Sequence, residues 1–221
     1  MREYFKRQIQ LWGEETQLSL VDKKVAVIGC GGLGSSVGIA LGSSGVGEIY
    51  LVDFDRVSFH NIHRQIAFKT EDEGRYKSQV LAELIQSRSP YVKALAFTES
   101  FSDFKKRPLH YDLILDCTDN LQSRAEIDEF SKEIGVPWIY TSVEEFNGQL
   151  CFFEKSGFES FKITQRTPAG IAAPIVMFMA SFEANMALRY LAGLPVKKDT
   201  LFYLYFDSDG ELNVQKFKMP H

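Results

Sequence analysis

The sequence predicts an α/β fold of the doubly wound, Rossmann-like type, with a mostly parallel sheet and a C-terminal antiparallel extension. Short aliphatic and β-branched stretches alternate with helix-like stretches in the first part of the chain, which is typical of βαβ units. A cluster of glycines directly follows the first of these stretches. Beyond Gly148 the alternation stops, and strand-like runs are joined by a Ser-Asp-Gly turn signal.

Five parallel strands are predicted at the aliphatic stretches. They cover residues 24–28, 48–52, 94–98, 113–115 and 138–141. Helices are predicted over residues 33–44, 76–87 and 123–134. Because each helix lies between two strands in the chain, we expect helices on both faces of the sheet.

The C-terminal part is predicted to pair in the antiparallel sense. "QLCFFE" and "LFYLYFDSDGELNVQKF" contain the strand-like runs. Between them lies "TPAGIAAPIVMFMASFEANMALRYLAG", whose charge-free run over residues 167–182 contains two prolines. That run is shorter than the roughly 18 to 20 apolar residues that a membrane span needs. We therefore predict a buried helix and no membrane partner.

Composition excludes several classes of protein. The net charge is only −4 and 45% of the residues are hydrophobic, which favours neither a nucleic-acid partner nor disorder. Cys30, Cys117 and Cys151 lie far apart without a CxxC pair, so neither a disulfide framework nor a structural zinc site is expected. The start "MREYFKRQIQ" is too charged for a secretory signal peptide, and a cytoplasmic location is expected.

The glycine cluster "GCGGLG" fits the pattern GxGxxG, directly after a predicted strand and at the start of a predicted helix. Glycine lets backbone amides approach a ligand without a Cβ atom between them, and a helix N-terminus favours anionic phosphate. A tight turn with close packing is the simpler alternative. The next strand ends in "YLVDFD", where Asp53 occupies the place of a carboxylate that accepts ribose hydroxyls. Together the two features predict a nucleotide site.

Up to this point an NAD-dependent oxidoreductase and an ATP-using enzyme are equally open. Asn61, Arg64, Gln65 and Lys77 follow closely after the ribose carboxylate. A pyrophosphate bound at a helix N-terminus does not require so many positively charged and polar side chains, whereas a triphosphate does. These residues therefore favour ATP.

A second acidic segment, "YDLILDCTDNLQSR", takes a predicted strand into Asp116 and Asp119. Carboxylates at the carboxyl end of a strand face the ligand crevice of a doubly wound sheet. Beside cations and phosphates, Asp119 is a candidate magnesium ligand. Asp119 could equally be the N-cap of the helix that follows, because aspartate is a favoured cap.

Five ordered motifs resemble the ThiF/MoeB/HesA adenylyltransferases, which are relatives of the ubiquitin-activating enzymes. They are "RQIQLWGEETQ", "VIGCGGLGSS", "GVGEIYLVDFDRVSFHNIHRQ", "DEGRYK" and "LDCTDNLQSR", and the match covers about residues 7–149. The resemblance implies a homodimer that binds ATP and Mg2+ and adenylates the C-terminal glycine of a ubiquitin-like sulfur carrier protein. It also implies one domain over residues 1–221, with an N-terminal helical arm (1–22), a nucleotide-binding core (23–142) and a carrier-binding and dimer part (143–221).

The resemblance also implies roles for individual residues. The positions expected to contact the nucleotide are Gly31, Gly32, Gly34, Asp53, Asn61, Arg64, Gln65 and Lys77. Asp53 would hold the ribose, and Arg64 and Lys77 would contact phosphates. Asp119 matches the aspartate that works with magnesium. Arg7 matches an arginine that the family supplies to the ATP of the neighbouring subunit, so the implied catalytic set is Asp119, Arg64, Lys77 and Arg7.

The sequence departs from the family at its cysteines. Many members carry two CxxC pairs that bind a structural zinc, and this chain has neither pair, so no zinc is expected. "TQRTPAGIAAP" also lacks the cysteine that several members use in persulfide or covalent chemistry. We interpret the three cysteines as packing residues. Adenylation is therefore expected to proceed without a thioester on this chain.

Other residues are open to more than one interpretation. His60, His63, His110 and His221 are interpreted as loop or surface residues, although the first two flank Asn61 and could contact phosphate. Glu144 and Glu145 could shape a channel for the carrier tail, but a solvated loop is the simpler interpretation. The C-terminal aromatics are expected mostly in the core, and any surplus could form a docking patch or a dimer seam.

The compact length favours a thiamine-type ThiF role over a molybdopterin-type MoeB role. An NAD-dependent oxidoreductase and a non-catalytic nucleotide-binding scaffold are the remaining alternatives. Arg64, Lys77 and the "DCTDN" aspartates disfavour the oxidoreductase, because a dinucleotide does not require them.

Overall fold

The computed structural model describes residues 1–161 and 170–220, and one eight-stranded sheet runs through this described part. The strands are β1 (Lys24–Ile28), β2 (Glu48–Val52), β3 (Lys93–Phe97), β4 (Leu113–Asp116), β5 (Trp138–Glu144), β6 (Asn147–Phe153), β7 (Thr200–Phe206) and β8 (Leu212–Lys218). Their order across the sheet is β3-β2-β1-β4-β5-β6-β7-β8.

The helices lie mostly between the strands in the chain. They are α1 (Lys6–Trp12), α2 (Glu14–Ser19), α3 (Gly32–Ser44), α4 (Lys77–Arg88), α5 (Phe101–Phe104), α6 (Leu121–Ile134) and α7 (Ala173–Leu191). The predicted helices correspond to α3, α4 and α6. The predicted C-terminal helix corresponds to α7, and the first residues of the predicted apolar run, from Thr167, lie outside the described residues.

The topology confirms the predicted fold class. Strands β1 to β5 pair in parallel in the order 3-2-1-4-5, and β6, β7 and β8 extend the sheet with antiparallel pairs. The chain leaves β1 toward β2 on one side and later returns to β4 on the other. This reversal opens a crevice at the carboxyl ends of β1 and β4, where doubly wound sheets bind ligands.

Two hydrophobic cores cover the faces of the sheet. Alternate strand residues contribute to each core, as the side-chain period of a strand requires. One core joins the sheet to α3, α4 and α7, and the other joins it to α5 and α6. Most of the C-terminal aromatics are core residues as predicted, with Phe152 and Phe153 at most 1% exposed, whereas Phe178 is 47% exposed.

The N-terminal arm packs against the end of α3. Phe5 is 2% exposed, and the Gln17 Nε2 atom donates to the Ser44 carbonyl oxygen at 3.0 Å. These contacts fix α1 on the domain and leave Arg7 on its exposed side.

Among the described helices, none combines the length and the hydropathy that a membrane span requires.

Candidate active site

A cavity of about 580 Å³ opens at the carboxyl ends of β1, β2 and β4. Its walls come from the loops that follow these strands and from the first turn of α7. The predicted site residues that line it are Gly31, Gly32, Asp53, Arg64, Gln65, Lys77 and Asp119. Residues that are far apart in the sequence therefore meet in one crevice.

The loop between β1 and α3 requires glycine. Gly29 has φ +90°, and a Cβ atom there would lie 2.7 Å from the Cys117 carbonyl oxygen. Gly31 and Gly32 line the cavity at the N-terminus of α3. The amides of the first turn of a helix lack partners within the helix, so this end of α3 is suited to an anion.

Gly34 is buried and lies outside the cavity lining. A Cβ atom there would lie 1.8 Å from the carbonyl oxygen of Gly29, which no packing tolerates. Its visible role is to let α3 approach the glycine loop closely. The sequence pattern cannot separate such a packing glycine from one that faces the nucleotide.

Asp53 connects the end of β2 to the glycine loop. Its Oδ2 atom accepts from the Cys30 amide and its Oδ1 atom from the Asp55 amide, both at 2.7 Å. Burial raises the pKa of Asp53, and the two amides together with Lys77 lower it only in part. The carboxylate is thus held rigidly on the cavity wall, and its remaining lone pairs could accept hydroxyl protons.

The segment after Asp53 supplies a cation and an amide. Arg64 lines the cavity, and its Nη1 atom lies 2.8 Å from His63 Nε2 and 3.4 Å from the His60 carbonyl oxygen. Gln65 is only 5% exposed, yet its Oε1 atom has no hydrogen-bond partner within the described part of the chain. Because buried polar atoms normally form hydrogen bonds, an atom on the cavity wall that lacks a protein partner could accept a hydrogen bond from a ligand.

Asn61 lies close to these residues but does not line the cavity. Its backbone oxygen accepts from the amides of Arg64 and Gln65, both at 3.2 Å. His60 and His63 are exposed and also lie outside the lining.

Lys77 is the first residue of α4, and its side chain is 7% exposed. The Nζ atom donates to Asp55 Oδ2 at 2.9 Å. Asp55 is mostly exposed, so this ion pair contributes little to stability, whereas it holds the ammonium group at the cavity wall. A phosphate that entered the cavity would compete with Asp55 for the same group.

The structure rules out one of the two interpretations of Asp119, that of a helix N-cap. The N-cap of α6 is Asn120, whose side chain accepts from the Ser123 amide at 2.8 Å. Asp119 is exposed on the cavity and has no hydrogen bond or ion pair within the described residues. The capping alternative is therefore wrong, and Asp119 is available to a ligand.

The remaining predicted residues lie at different places. Arg7 on α1 is exposed and outside the cavity lining, and its Nη1 atom donates to Gln10 at 3.3 Å. Glu144 lines the cavity, whereas Glu145 is exposed with φ 54°. His110 is exposed as predicted, and His221 lies outside the described residues.

A buried polar layer beneath the cavity was not predicted from the sequence. Asp116 is 0% exposed, and its Oδ2 atom accepts from Arg124 Nε at 3.1 Å. Glu183 of α7 is also 0% exposed, and its Oε2 atom accepts from Cys117 Sγ at 3.7 Å. A single acid within the apolar run of α7 is the only sequence signal that could have indicated this layer.

Glu183 is expected to make stability depend on pH. Burial raises the pKa of Glu183 well above its usual value, the Asp116 charge raises it further, and its Oε1 atom has no well-aligned hydrogen-bond partner in the described part. Because the native pKa is higher than the unfolded one, the native state holds an extra proton, and stability is lost as pH rises between the two values. Each pH unit in that window lowers the free energy of unfolding by up to about 1.4 kcal/mol.

Urea unfolding between pH 5 and pH 8 tests this expectation. Glu183→Gln should gain stability over the natural protein progressively with pH, and the two should converge below the unfolded pKa, about 4.3. Glu129→Gln, on the exposed side of α6, is the matched control and should track the natural protein. Parallel curves for Glu183→Gln and the natural protein would show that the carboxyl titrates normally.

The three cysteines are free and buried. Burial raises the pKa of Cys30 and Cys117 well above the usual range and that of Cys151 to about 12. Protonated, buried thiols are poor nucleophiles and poor metal ligands, which agrees with their interpretation as packing residues.

The oxygen ligands that line the cavity are of the kind that binds Mg2+ together with the phosphates of a nucleotide. Within residues 1–161 and 170–220, no three His, Cys, Asp or Glu side chains are grouped as a metal cage. Mg2+ is usually bound through one or two carboxylates together with substrate phosphates. Asp119, an unpaired carboxylate of the described part facing the cavity, fits that requirement.

Comparison with known families agrees with this geometry. A family model described as the ThiF family matches residues 5–221. The chain belongs to the ThiF family. The match extends from α1 to beyond β8, so it includes both the parallel part and the antiparallel extension.

Named relatives of this ThiF family chain are nucleotidyltransferases. It is 33% identical over 190 residues to the sulfur carrier protein ThiS adenylyltransferase of Escherichia coli, with 80% of this chain and 76% of that protein covered. It is 29% identical to the molybdopterin-synthase adenylyltransferase of Escherichia coli, with 86% and 82% covered. Other relatives, named adenylyltransferase and sulfurtransferase, are longer, and the chain spans about half of their length.

Solved structures confirm the fold of this ThiF family chain. A crystal structure of Escherichia coli MccB with ATP matches with a TM-score of 0.85 and 21% identity, and covers 98% of this chain and 70% of MccB. At that identity the likeness establishes the shared architecture alone.

Proposed function

We propose that this ThiF family chain catalyses ATP-dependent adenylation of the C-terminal glycine carboxylate of a ubiquitin-like sulfur carrier protein. A carboxylate oxygen would bond to the α-phosphorus of ATP as the bond to pyrophosphate breaks, leaving an acyl adenylate. The observation that carries the proposal is that one cavity brings together the glycine loop, the Asp53 carboxylate at the end of β2, two cations and an aspartate that has no partner among the described residues. The adenylyltransferase names of the relatives support it.

Charge compensation is the main chemical demand of this reaction. The attacking carboxylate and the α-phosphate are both anionic, and two unit charges about 4 Å apart repel by roughly 4 kcal/mol at an effective dielectric constant near 20. Uncompensated, that repulsion would slow the reaction by about three decades. Arg64 and Lys77 line the cavity and would offset it.

Mg2+ would supply further positive charge at the phosphates, and Asp119 is the residue proposed to hold it. Gly31 and Gly32 would position the phosphates, and Asp53 would hold the ribose. Arg7 is exposed on α1, and we propose that it serves the ATP of a second copy of the chain in a homodimer.

The proposed chemistry requires neither a general base nor a cysteine. A carboxylate is already ionised at neutral pH and needs no proton removed before it attacks. The three buried thiols offer no thiolate at the cavity, so we propose that the acyl adenylate is released to a thiol or persulfide elsewhere.

We further propose that the carrier is ThiS-like and belongs to a thiamine-type sulfur transfer. The higher identity to the ThiS adenylyltransferase, 33% against 29% for the molybdopterin-synthase relative, supports this choice. A MoaD-like carrier in molybdopterin synthesis is the alternative.

Exchange of labelled pyrophosphate into ATP tests the proposal. The protein should catalyse exchange only with Mg2+ and a carrier that ends in Gly-Gly, and the ThiS-like carrier should give the higher kcat/KM. A carrier that lacks its last glycine is the control and should give none. Exchange with the MoaD-like carrier alone would overturn the pathway, and no exchange with either carrier would overturn the adenylation.

Thermal unfolding with added nucleotides distinguishes the proposed adenylyltransferase from an oxidoreductase and from a non-catalytic scaffold. Mg2+ with ATP should raise the midpoint of unfolding, whereas NADH should not. Stabilisation by NADH alone would favour an oxidoreductase, and ATP binding without any exchange would favour a scaffold.

A further inference from the structure

The loop between β4 and α6 carries Asp119, and the buried side chain of Arg124 forms hydrogen bonds to this loop. Arg124, in the first turn of α6, donates from Nε to Asp116 Oδ2 at 3.1 Å and from Nη2 to the Thr118 carbonyl oxygen at 2.8 Å. The other carboxylate oxygen of Asp116 accepts from the Thr118 amide at 3.0 Å and from its hydroxyl at 2.6 Å. Thr118 is therefore held at its amide, hydroxyl and carbonyl groups.

Asp119 follows directly after this fixed peptide. Its side chain has no hydrogen bond within the described part of the chain, so its direction depends on the backbone that precedes it. Asn120 caps α6 on the other side. The Thr118 carbonyl, which only Arg124 binds among the described side chains, thus fixes the peptide from which the Asp119 side chain extends toward the cavity.

Arg124 also connects this loop to the neighbouring strand β5, whose end forms part of the cavity wall. Its Nη2 atom lies 3.5 Å from the Thr141 carbonyl oxygen, and its guanidinium carbon lies 5.1 Å from the centre of the Tyr140 ring. Both residues belong to β5, whose last residues line the cavity. The guanidinium group therefore bridges the Asp119 loop and β5.

Stability alone is a weak reason for this arrangement. Asp116 is 0% exposed and Arg124 is 7% exposed. Replacing a buried ion pair by uncharged residues of similar volume is often neutral or stabilising, whereas removal of one partner is strongly destabilising. A planar guanidinium can donate to a carboxylate and to a neighbouring carbonyl in fixed directions, which the point charge of lysine cannot do.

We propose that Arg124 is a positioning residue that aims the Asp119 carboxylate at the metal–nucleotide complex. This inference rests on the proposed adenylation, and it assigns to Arg124 a role in turnover that is separate from its role in folding.

The first test compares Arg124→Lys with the natural protein in pyrophosphate exchange. We expect kcat to fall about 100-fold, because a displacement of about 1 Å at a reacting centre has effects of that size. The KM for ATP should change by less than about threefold, since the glycine loop and Asp53 are untouched. Arg189→Lys is the matched control, because that exposed arginine on α7 donates only to the Pro195 carbonyl oxygen among the described residues and should keep full activity.

A double variant separates positioning from folding. Asp116→Asn combined with Arg124→Met removes both buried charges and should restore the midpoint of thermal unfolding that Arg124→Met alone lowers. The double variant should nevertheless keep the low kcat. Recovery of kcat together with stability would overturn the proposal and leave Arg124 a structural role only.

A readout without turnover keeps this inference distinct from the proposed function. The electron paramagnetic resonance spectrum of Mn2+ with ATP should change when the natural protein is added, which reports binding of the metal ion. Arg124→Lys should reduce the fraction of Mn2+ bound in this way. Binding of ATP in the absence of metal should be the same for both proteins. If no carrier supports exchange but this difference is seen, the adenylation fails and the positioning role stands. Equal Mn2+ binding by both proteins, or none by the natural protein, would overturn the positioning role.

Discussion

Asp119→Ala is expected to abolish carrier-dependent pyrophosphate exchange, with a fall in kcat of at least about 10³-fold, while the stability of the fold is unchanged. Loss of one group that stabilises transition-state charge lowers a rate by roughly 10² to 10³-fold. Here the carboxylate would also take its metal ion with it. The side chain is exposed and forms no hydrogen bond in the described part, so the free energy of unfolding should change by less than about 0.5 kcal/mol.

The neighbouring Asn120→Ala variant is the control for this expectation. Because Asn120 caps α6 and also lines the cavity beside Asp119, its loss should lower the free energy of unfolding by about 1 kcal/mol and reduce exchange far less than Asp119→Ala does. Adjacent residues should thus separate activity from stability when exchange and urea unfolding are measured side by side. If Asp119→Ala destabilises the fold as much as Asn120→Ala, or retains exchange, then Asp119 has been misassigned.

The parallel half of the sheet could be predicted because each strand is a short, buried aliphatic run. Strands β1 and β2 match their predicted ranges, and β3 differs by one residue at each end. Strand β5 extends to Glu144, beyond the predicted end at residue 141. This extension depends on pairing with β6 across a tight turn, and polar residues at the end of a strand give no apolar signal for it.

The cavity could be predicted in composition but not in its internal contacts. Glycines, cations and aspartates were identified by their positions after strands, and the sheet order brings most of them together. The hydrogen bond from the Cys30 amide to Asp53 joins the ends of two strands that only the folded sheet brings together. The ion pair of Asp116 with Arg124 depends on the conformation of the loop between β4 and α6. Sequence spacing carries no signal for such contacts.

The cavity wall and the layer beneath it differ in how their polar groups are satisfied. Asp119 and the Gln65 Oε1 atom lack partners in the described chain, whereas Asp116 uses both carboxylate oxygens within the protein. Groups without partners are suited to a ligand, and satisfied groups fix the geometry. The acidic motif "DCTDN" therefore divides into a structural aspartate and one that faces the cavity.

Gly34→Ala is expected to cause a large loss of stability. The new Cβ atom would lie 1.8 Å from the Gly29 carbonyl oxygen and 2.8 Å from its carbonyl carbon. Both are backbone atoms, so relief requires a shift of α3 away from the glycine loop. Overpacking that moves backbone typically destabilises by about 3 kcal/mol, and the shift would also displace the N-terminus of α3 from the cavity. Urea unfolding and Mg2+-ATP binding by calorimetry should both report the loss.

Gly38→Ala in the same helix is the matched control. Its Cβ atom would lie 3.2 Å from Leu81 Cδ2 and 3.3 Å from Ile85 Cδ1, which are ends of flexible side chains. Alanine also gains up to about 1 kcal/mol in helix propensity over glycine, so the net change should stay within about 1 kcal/mol. Gly38→Ala should therefore bind Mg2+-ATP normally. Equal behaviour of the two variants would mean that α3 tolerates displacement, and the close approach at Gly34 would then have no bearing on the nucleotide site.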